Sequence, residues 1–217
     1  MIRPNIAPGE YYHLYNRGND KQNIFRDTRD YIRFLFLILY FQSPISFYNM
    51  SRPVSYFVRH RMFNTGEEGK VVKQRQVQLI SFCLMPNHFH LLVGEQKERG
   101  ISKYMQKVLN AYTKYFNSKY QRSGHLFQGP YKAVHINDNE QLVYLSAYIH
   151  RNPHKLGQWR GKEEGYIWSS YRDYTGENRW GELLKRDIIF KQYNLYSDYR
   201  AFVESSGAKD DEFQATC

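Results

Sequence analysis

Apolar and polar positions alternate along residues 10–16, with Tyr11, His13 and Tyr15 on one side, which predicts a first strand ending at Asn16-Arg17-Gly18. Asp27-Thr28-Arg29-Asp30 then supplies a cap, and Tyr31, Phe34, Leu35, Ile38 and Leu39 recur at helical spacing behind it. Residues 43–75 turn polar and irregular, with Pro44, Pro53, Gly66, Gly69 and several Arg and Lys, and read as an inserted basic excursion. Val77 to Leu84 and His88 to Gly94 are two strands joined through Met85-Pro86-Asn87 as a tight hairpin. From Gly100 the helical period returns. Ile101, Tyr104, Met105, Val108, Tyr112, Tyr115 and Phe116 share one face, and Lys103, Lys107, Asn110 and Lys114 another. Tyr131 to Ile136 predicts a fourth strand. Asp138, with Gln141 three residues on, caps a last helix through Leu142, Leu145, Tyr148 and Ile149, which Pro153 stops.

The order strand, helix, strand, strand, helix, strand, helix predicts an α+β fold, an antiparallel sheet of about four strands with helices packed on it. At 217 residues the chain suits one compact domain and a small appendage. The main unit is expected over 1–160, with the insertion at about 43–75, and a C-terminal helical extension over 161–217, where Trp168, Tyr171, Trp180 and Phe190 would pack on the core. The chain is expected to fray from Ser205. No internal repeat is present.

Charge changes the picture more than length does. Thirty-one Lys and Arg against 21 Asp and Glu give a net charge of +10, which calls for a polyanion, nucleic acid before a membrane surface. Twenty Tyr and 14 Phe beside that charge suit unpaired bases, which stack on rings, better than a uniform duplex. Most of those rings are nevertheless expected in the core. Cys83 and Cys217 are too few and too far apart for a disulfide framework or a cysteine zinc site, which fits a reducing cytoplasm. Residues 1–5 lack an apolar signal region, and no apolar run reaches the ~20 residues a membrane span needs.

The chemistry-bearing stretch is Met85-Pro86-Asn87-His88-Phe89-His90-Leu91-Leu92-Val93. On a strand His88 and His90 point to one side, a two-imidazole clamp for a divalent metal, while Phe89, Leu91 and Val93 point to the other. In Tyr148-Ile149-His150-Arg151-Asn152-Pro153, helical spacing puts the Tyr148 hydroxyl and the Asn152 amide one turn apart on one face. Two imidazoles, a carboxamide oxygen and a tyrosine are the parts of a metal-assisted nucleophilic site, with Mg²⁺ or Mn²⁺ the expected ion for such mixed ligands. Taken alone, a His-x-His pair is more often a core or surface feature, and an Asn before Pro is equally a helix C-cap. Tyr144, one turn earlier, and His150, rotated away, are the nearby alternatives. Candidate DNA contacts are Arg17, Lys103, Lys107, Lys114, Arg122, His125, Phe127, Lys132 and Arg151. The Gly124 to Gly129 loop is the best of these, since its glycines admit phosphates and Phe127 offers a stacking face, with a structural turn as the competing reading.

Five pieces in this order resemble the HUH-type single-tyrosine transposases, the IS200-like group and its REP-associated branch. They are Tyr12-His13-Leu14-Tyr15-Asn16-Arg17-Gly18, the Met85 to Val93 block, Gly124-His125-Leu126-Phe127-Gln128-Gly129, Tyr148 to Pro153 and Trp168-Ser169-Ser170-Tyr171, spanning about residues 11–175. The resemblance implies a ferredoxin-like or RRM-like core, a metal on His88, His90 and Asn152, and Tyr148 as nucleophile on single-stranded or hairpin DNA. A 5′-phosphotyrosine link would form with release of a 3′-OH that later rejoins strands, without ATP. Classical members swap the tyrosine helix across a dimer, whereas members with the Trp-Ser-Ser-Tyr tail act alone, so monomer and homodimer both stay open. Two rivals stand beside this reading: a hairpin-binding relative without turnover, and a replication initiator or relaxase. Against the second, the chain has no Gly-x-x-x-x-Gly-Lys-Ser/Thr phosphate loop.

Overall fold

Both faces of the first strand, β1 (Tyr11–Arg17), are buried, because helices pack on each side of the sheet, and a partner strand lies along each of its edges. The computed structural model describes residues 5–47, 50–60 and 66–206. Among them β1, β2 (Val77–Met85), β3 (His88–Glu95) and β4 (Lys132–Ile136) form one antiparallel sheet in the order β2-β3-β1-β4. Helix α1 (Thr28–Tyr40) and the long helix α4 (Gly100–Lys119) cover the Phe89 face. Phe34 of α1 meets Phe89 at 5.0 Å and Tyr112 of α4 at 4.9 Å. Helix α5 (Asn139–Arg151) covers the other face, the one to which His88 and His90 point.

The expected caps form. The Asp27 carboxylate accepts the Arg29 and Asp30 amides at 2.9 and 3.1 Å. Asp138 accepts the Gln141 amide at 2.7 Å while the Gln141 side chain accepts the Asn137 amide at 2.8 Å, a capping box displaced by one residue. After Arg151 the chain tightens into a 3₁₀ turn over Asn152–Lys155. The excursion at 43–75 is less irregular than the sequence predicts. It carries α2 (Ser51–His60) and α3 (Glu68–Gln74), whose buried side chains are Val54 and Val71 respectively, with Phe57 and Val72 half-buried against the core beside them. Its residues 48–49 and 61–65, and the end of the expected fraying from residue 207, lie outside the described residues.

The C-terminal part is built into the sheet. Strand β2 is an edge, and an uncovered apolar edge is a pairing hazard. Here the Leu84 amide donates to Trp168 O, the Ser170 amide to Phe82 O and the Lys185 amide to Leu79 O, at 2.9, 2.9 and 2.8 Å, while the Tyr174 hydroxyl reaches Ile80 O. Short helices α6 (Tyr171–Thr175) and α7 (Asp187–Phe190) follow, and α8 (Tyr196–Ser205) packs on α5. No helix among the described residues is long and apolar enough to cross a membrane.

His150 ties these parts together. Its two ring nitrogens meet the Tyr199 hydroxyl at 2.7 Å and Ser170 Oγ at 2.8 Å, and its ring is fully buried, facing α8 and away from His88 and His90. His150→Leu takes one partner from each hydroxyl, leaving Tyr199 with Ser146 and Ser170 with the Phe82 backbone, for an expected loss of about 1–2 kcal/mol in urea denaturation. Burial also holds this imidazole down to about 3. The unfolded state therefore binds the proton more readily, so the stability tied to neutral His150 is present above pH 6.5 and is lost as pH falls towards 3. The variant should show a shallower acid limb across that window.

Candidate active site

His88 and His90 enter the site from the start of β3, which a two-residue hairpin holds in place. Pro86 O accepts the amides of Ile24 and Phe25, Asn87 O accepts the Gly18 amide, and Asn87 Nδ2 donates to Lys21 O. With its nitrogen so committed, Asn87 turns its Oδ1 to His88 Nδ1 at 2.6 Å, which places the His88 proton on Nδ1 and leaves Nε2 as an electron-pair donor. Gly18 must be glycine here, since a Cβ would sit 2.2 Å from Gln22 O.

Tyr148 approaches from α5. Its ring stands edge-on to His90, with centroids 5.6 Å apart, and to His13 at 6.1 Å. One turn on, Asn152 donates from Nδ2 to Tyr148 O at 2.9 Å, as the one-turn spacing predicts, and its Oδ1 is left without a hydrogen-bond partner although the residue is 2 % exposed. His90 Nε2 is likewise buried and unpartnered. Buried polar atoms are rarely left so, and two orphans beside His88 Nε2 are the donor set a divalent cation would satisfy. Among the described residues no group of three or more His, Cys, Asp and Glu is placed to hold a metal, so the fit rests on the mixed set of His88, His90 and Asn152.

The electrostatics favour neutral imidazoles. Burial first, then the cations of Arg17 and Lys155, push His88 down to about 3, with the Asn152 amide acting in the opposite direction. Burial, with His88, His13, Lys155 and Arg17 behind it, holds His90 well below the ordinary imidazole range. Metal ligation needs deprotonated imidazoles, and these are deprotonated at neutral pH. Half-buried Arg17 and His88 and exposed Lys155 form the solvent side of the site, a cationic rim suited to a phosphodiester.

Other candidates are distributed unevenly. Lys103, Lys114, His125 and Phe127, with Arg99, line a groove of about 710 Å³ between α4 and the 125–131 loop. That groove is on the α4 side of the sheet, across from the histidines. Lys132 lies over the Tyr15 ring at 5.8 Å. Phe127 does not offer the stacking face its sequence suggests. It is 7 % exposed, with its ring near Phe89 and Tyr112, because Gly18 bridges to it and Arg17 O holds the Gln128 amide, which pins the loop down as a structural turn. Lys107 points to Pro44 O at 3.2 Å, Arg122 sits over Phe116 at 5.6 Å, and Arg151 donates to the carbonyls of Val203 and Glu204 on α8. Each of these three has a protein partner that helps pack one element on another. Tyr144 packs its ring on Phe202, 5.1 Å away.

Two residues of the site were not singled out as functional by the sequence. His13 on β1 meets His90 Nδ1 through its Nε2 at 2.9 Å. Lys155 holds its ammonium 5.4 Å from the Tyr148 ring centroid. Period-two alternation puts His13 and Tyr15 on one face, but only the pairing of β1 with β3 brings that face to His90.

Residues 67–152 match the family model described as "Transposase IS200 like", a span that includes His88, His90, Tyr148 and Asn152. No curated protein sequence matches the chain. Among solved structures, one described as the REP-associated tyrosine transposase bound to a REP hairpin is similar in fold. The TM-score is 0.55 at 13 % identity over 82 % of this chain and 86 % of that one. The α+β sheet order, the two-histidine strand and the helix carrying Tyr148 and Asn152 thus coincide with a stretch, residues 67–152, that is similar in sequence to the IS200-like transposase model.

Proposed function

We propose that the protein is a DNA strand-cleaving and strand-joining enzyme that acts on single-stranded or hairpin DNA through Tyr148. The observation that carries this reading is the convergence, in one chain, of the Tyr148 ring, two neutral imidazoles and the unpartnered Asn152 Oδ1. His88, His90 and Asn152 would hold Mg²⁺ or Mn²⁺. A divalent ion there supplies Lewis-acid stabilisation of charge developing on a non-bridging phosphate oxygen. Arg17 and Lys155 orient the phosphodiester. The Tyr148 oxygen attacks phosphorus, forming a bond to the 5′ phosphate as the bond to the 3′ oxygen breaks, and the 3′ oxygen leaves as a hydroxyl. Phenolate is a good enough leaving group for the step to reverse, which strand joining requires. The family match over 67–152 and the fold shared with a hairpin-bound transposase support this substrate class.

Incubation with a labelled single-stranded hairpin and Mn²⁺ should give a denaturant-resistant protein–DNA adduct. Tight binding with no adduct on any hairpin would favour a binding module instead, and turnover on a nicked plasmid origin alone would favour an initiator or relaxase.

The basic groove makes a separate prediction. If DNA phosphates occupy it, hairpin binding weakens with salt at a log–log slope of about −0.7 per single-strand phosphate. Lys103→Ala and Lys114→Ala should each flatten the slope by about that amount, while Lys107→Ala, whose ammonium is on Pro44 O, should not. Fluorescence anisotropy across a salt series measures it, and equal slopes in all four proteins would remove the groove from the interface.

A further inference from the structure

Both histidines of the clamp have a partner on Nδ1, but of different kinds. Asn87 Oδ1 can only accept, so His88 must carry its proton on Nδ1. His90 faces a second imidazole, His13 Nε2, at 2.9 Å. A nitrogen–nitrogen contact of that length holds one proton, so one ring donates and the other accepts. If His13 donated, a neutral His90 would carry its own proton on Nε2 and have no electron pair there. If His13 accepts, His90 Nε2 is a bare lone pair on the side away from His13.

His13 is built for this contact. It is 1 % exposed on the central strand, its ring lies within 21° of the plane of the His90 ring with centroids 5.1 Å apart, as an edge-to-edge hydrogen bond requires, and Tyr15 flanks it at 4.9 Å. Its Nδ1 has no hydrogen-bond partner, so the ring has one polar contact and that contact is His90. An imidazole so walled in cannot turn without breaking the bond, and it fixes the plane of the His90 ring as well as the side on which its proton lies.

We infer that His13 is a positioning residue for the cation site, accepting the His90 Nδ1 proton so that the His90 Nε2 lone pair is presented to a divalent ion. The inference rests on the metal reading proposed above. It assigns His13 no contact with DNA or with the reacting phosphate.

Side-chain ¹⁵N NMR of the metal-free wild type reads the tautomer directly. His90 should be protonated on Nδ1; a proton on Nε2 overturns the inference whether or not any variant folds. Mn²⁺ affinity, read by electron paramagnetic resonance without DNA, supplies the second test. His13→Phe keeps a ring but no acceptor and should weaken Mn²⁺ about 10- to 100-fold, whereas His13→Gln, with an amide oxygen to accept, should recover most of the affinity. Thermal midpoints of the two variants measured alongside separate positioning from packing. Wild-type affinity in His13→Phe, or equal weakening in both variants with equally lowered midpoints, overturns the role of His13 alone. Absence of Mn²⁺ binding by the wild type overturns the metal reading and this inference together.

Discussion

Tyr148→Phe should abolish covalent adduct formation while hairpin binding and Mn²⁺ binding stay within a few-fold of wild type. The substitution removes one oxygen. The ring that stands edge-on to His90 and His13 remains, Lys155 can still sit over it, and Asn152 still donates to the residue 148 carbonyl, which is backbone. Without the phenolic oxygen no bond to phosphorus can form, so the loss is expected to be complete and not graded. Tyr144→Phe is the matched control, because that ring packs on Phe202 and should leave the adduct yield unchanged. Denaturing gels of labelled hairpin with each protein decide it, with peptide mapping of the wild-type adduct to the residue. Undiminished cleavage by Tyr148→Phe, or an adduct mapped elsewhere, would remove Tyr148 from the reaction.

The parts of this molecule that were legible in its sequence are the ones governed by local periodicity. Strands β1 to β4 announce themselves by alternation or by apolar runs between turn residues, and α1 and α5 by their Asp27 and Asp138 caps. The expected His88, His90, Tyr148 and Asn152 set is local in the same sense: each pair is fixed by a strand or a helix turn. Helices α2 and α3 were hidden in a polar stretch interrupted by Pro44, Pro53, Gly66 and Gly69, although Val54 and Phe57 share a face of α2. His13 was read as a strand residue within a motif piece, with no role of its own. Its partner is 77 positions away, and no local pattern says that β1 will pair with β3 or in which register. Arg151, Lys107 and Phe127 were read as DNA contacts without sight of their protein neighbours, since a long cationic or aromatic side chain serves packing and recognition equally well. The neighbour that decides, the carbonyls of α8, Pro44 O or the Phe89 ring, is supplied by tertiary structure.

His88→Ala should remove divalent-cation binding and with it adduct formation at physiological Mg²⁺ or Mn²⁺. The protein should remain folded, because His88 is only half buried and its ring bonds to the adjacent Asn87. Loss of several kcal/mol of transition-state stabilisation corresponds to a rate lowered about 10³-fold or more. His90→Ala should do the same to metal binding, but at a cost to the fold of about 1–3 kcal/mol, because it strands His13 Nε2 in the interior. Asn152→Ala should weaken the ion without abolishing it, since two imidazoles remain. It also deletes the bond to Tyr148 O, so its adduct yield should fall further than its metal affinity explains. Manganese titration of the three variants against wild type, with urea curves alongside, orders these effects: His88→Ala largest on metal and least on stability, His90→Ala large on both, Asn152→Ala intermediate on metal. Wild-type metal affinity in the His88→Ala, His90→Ala double variant would leave the two orphaned atoms unexplained and remove the cation from the proposed reaction.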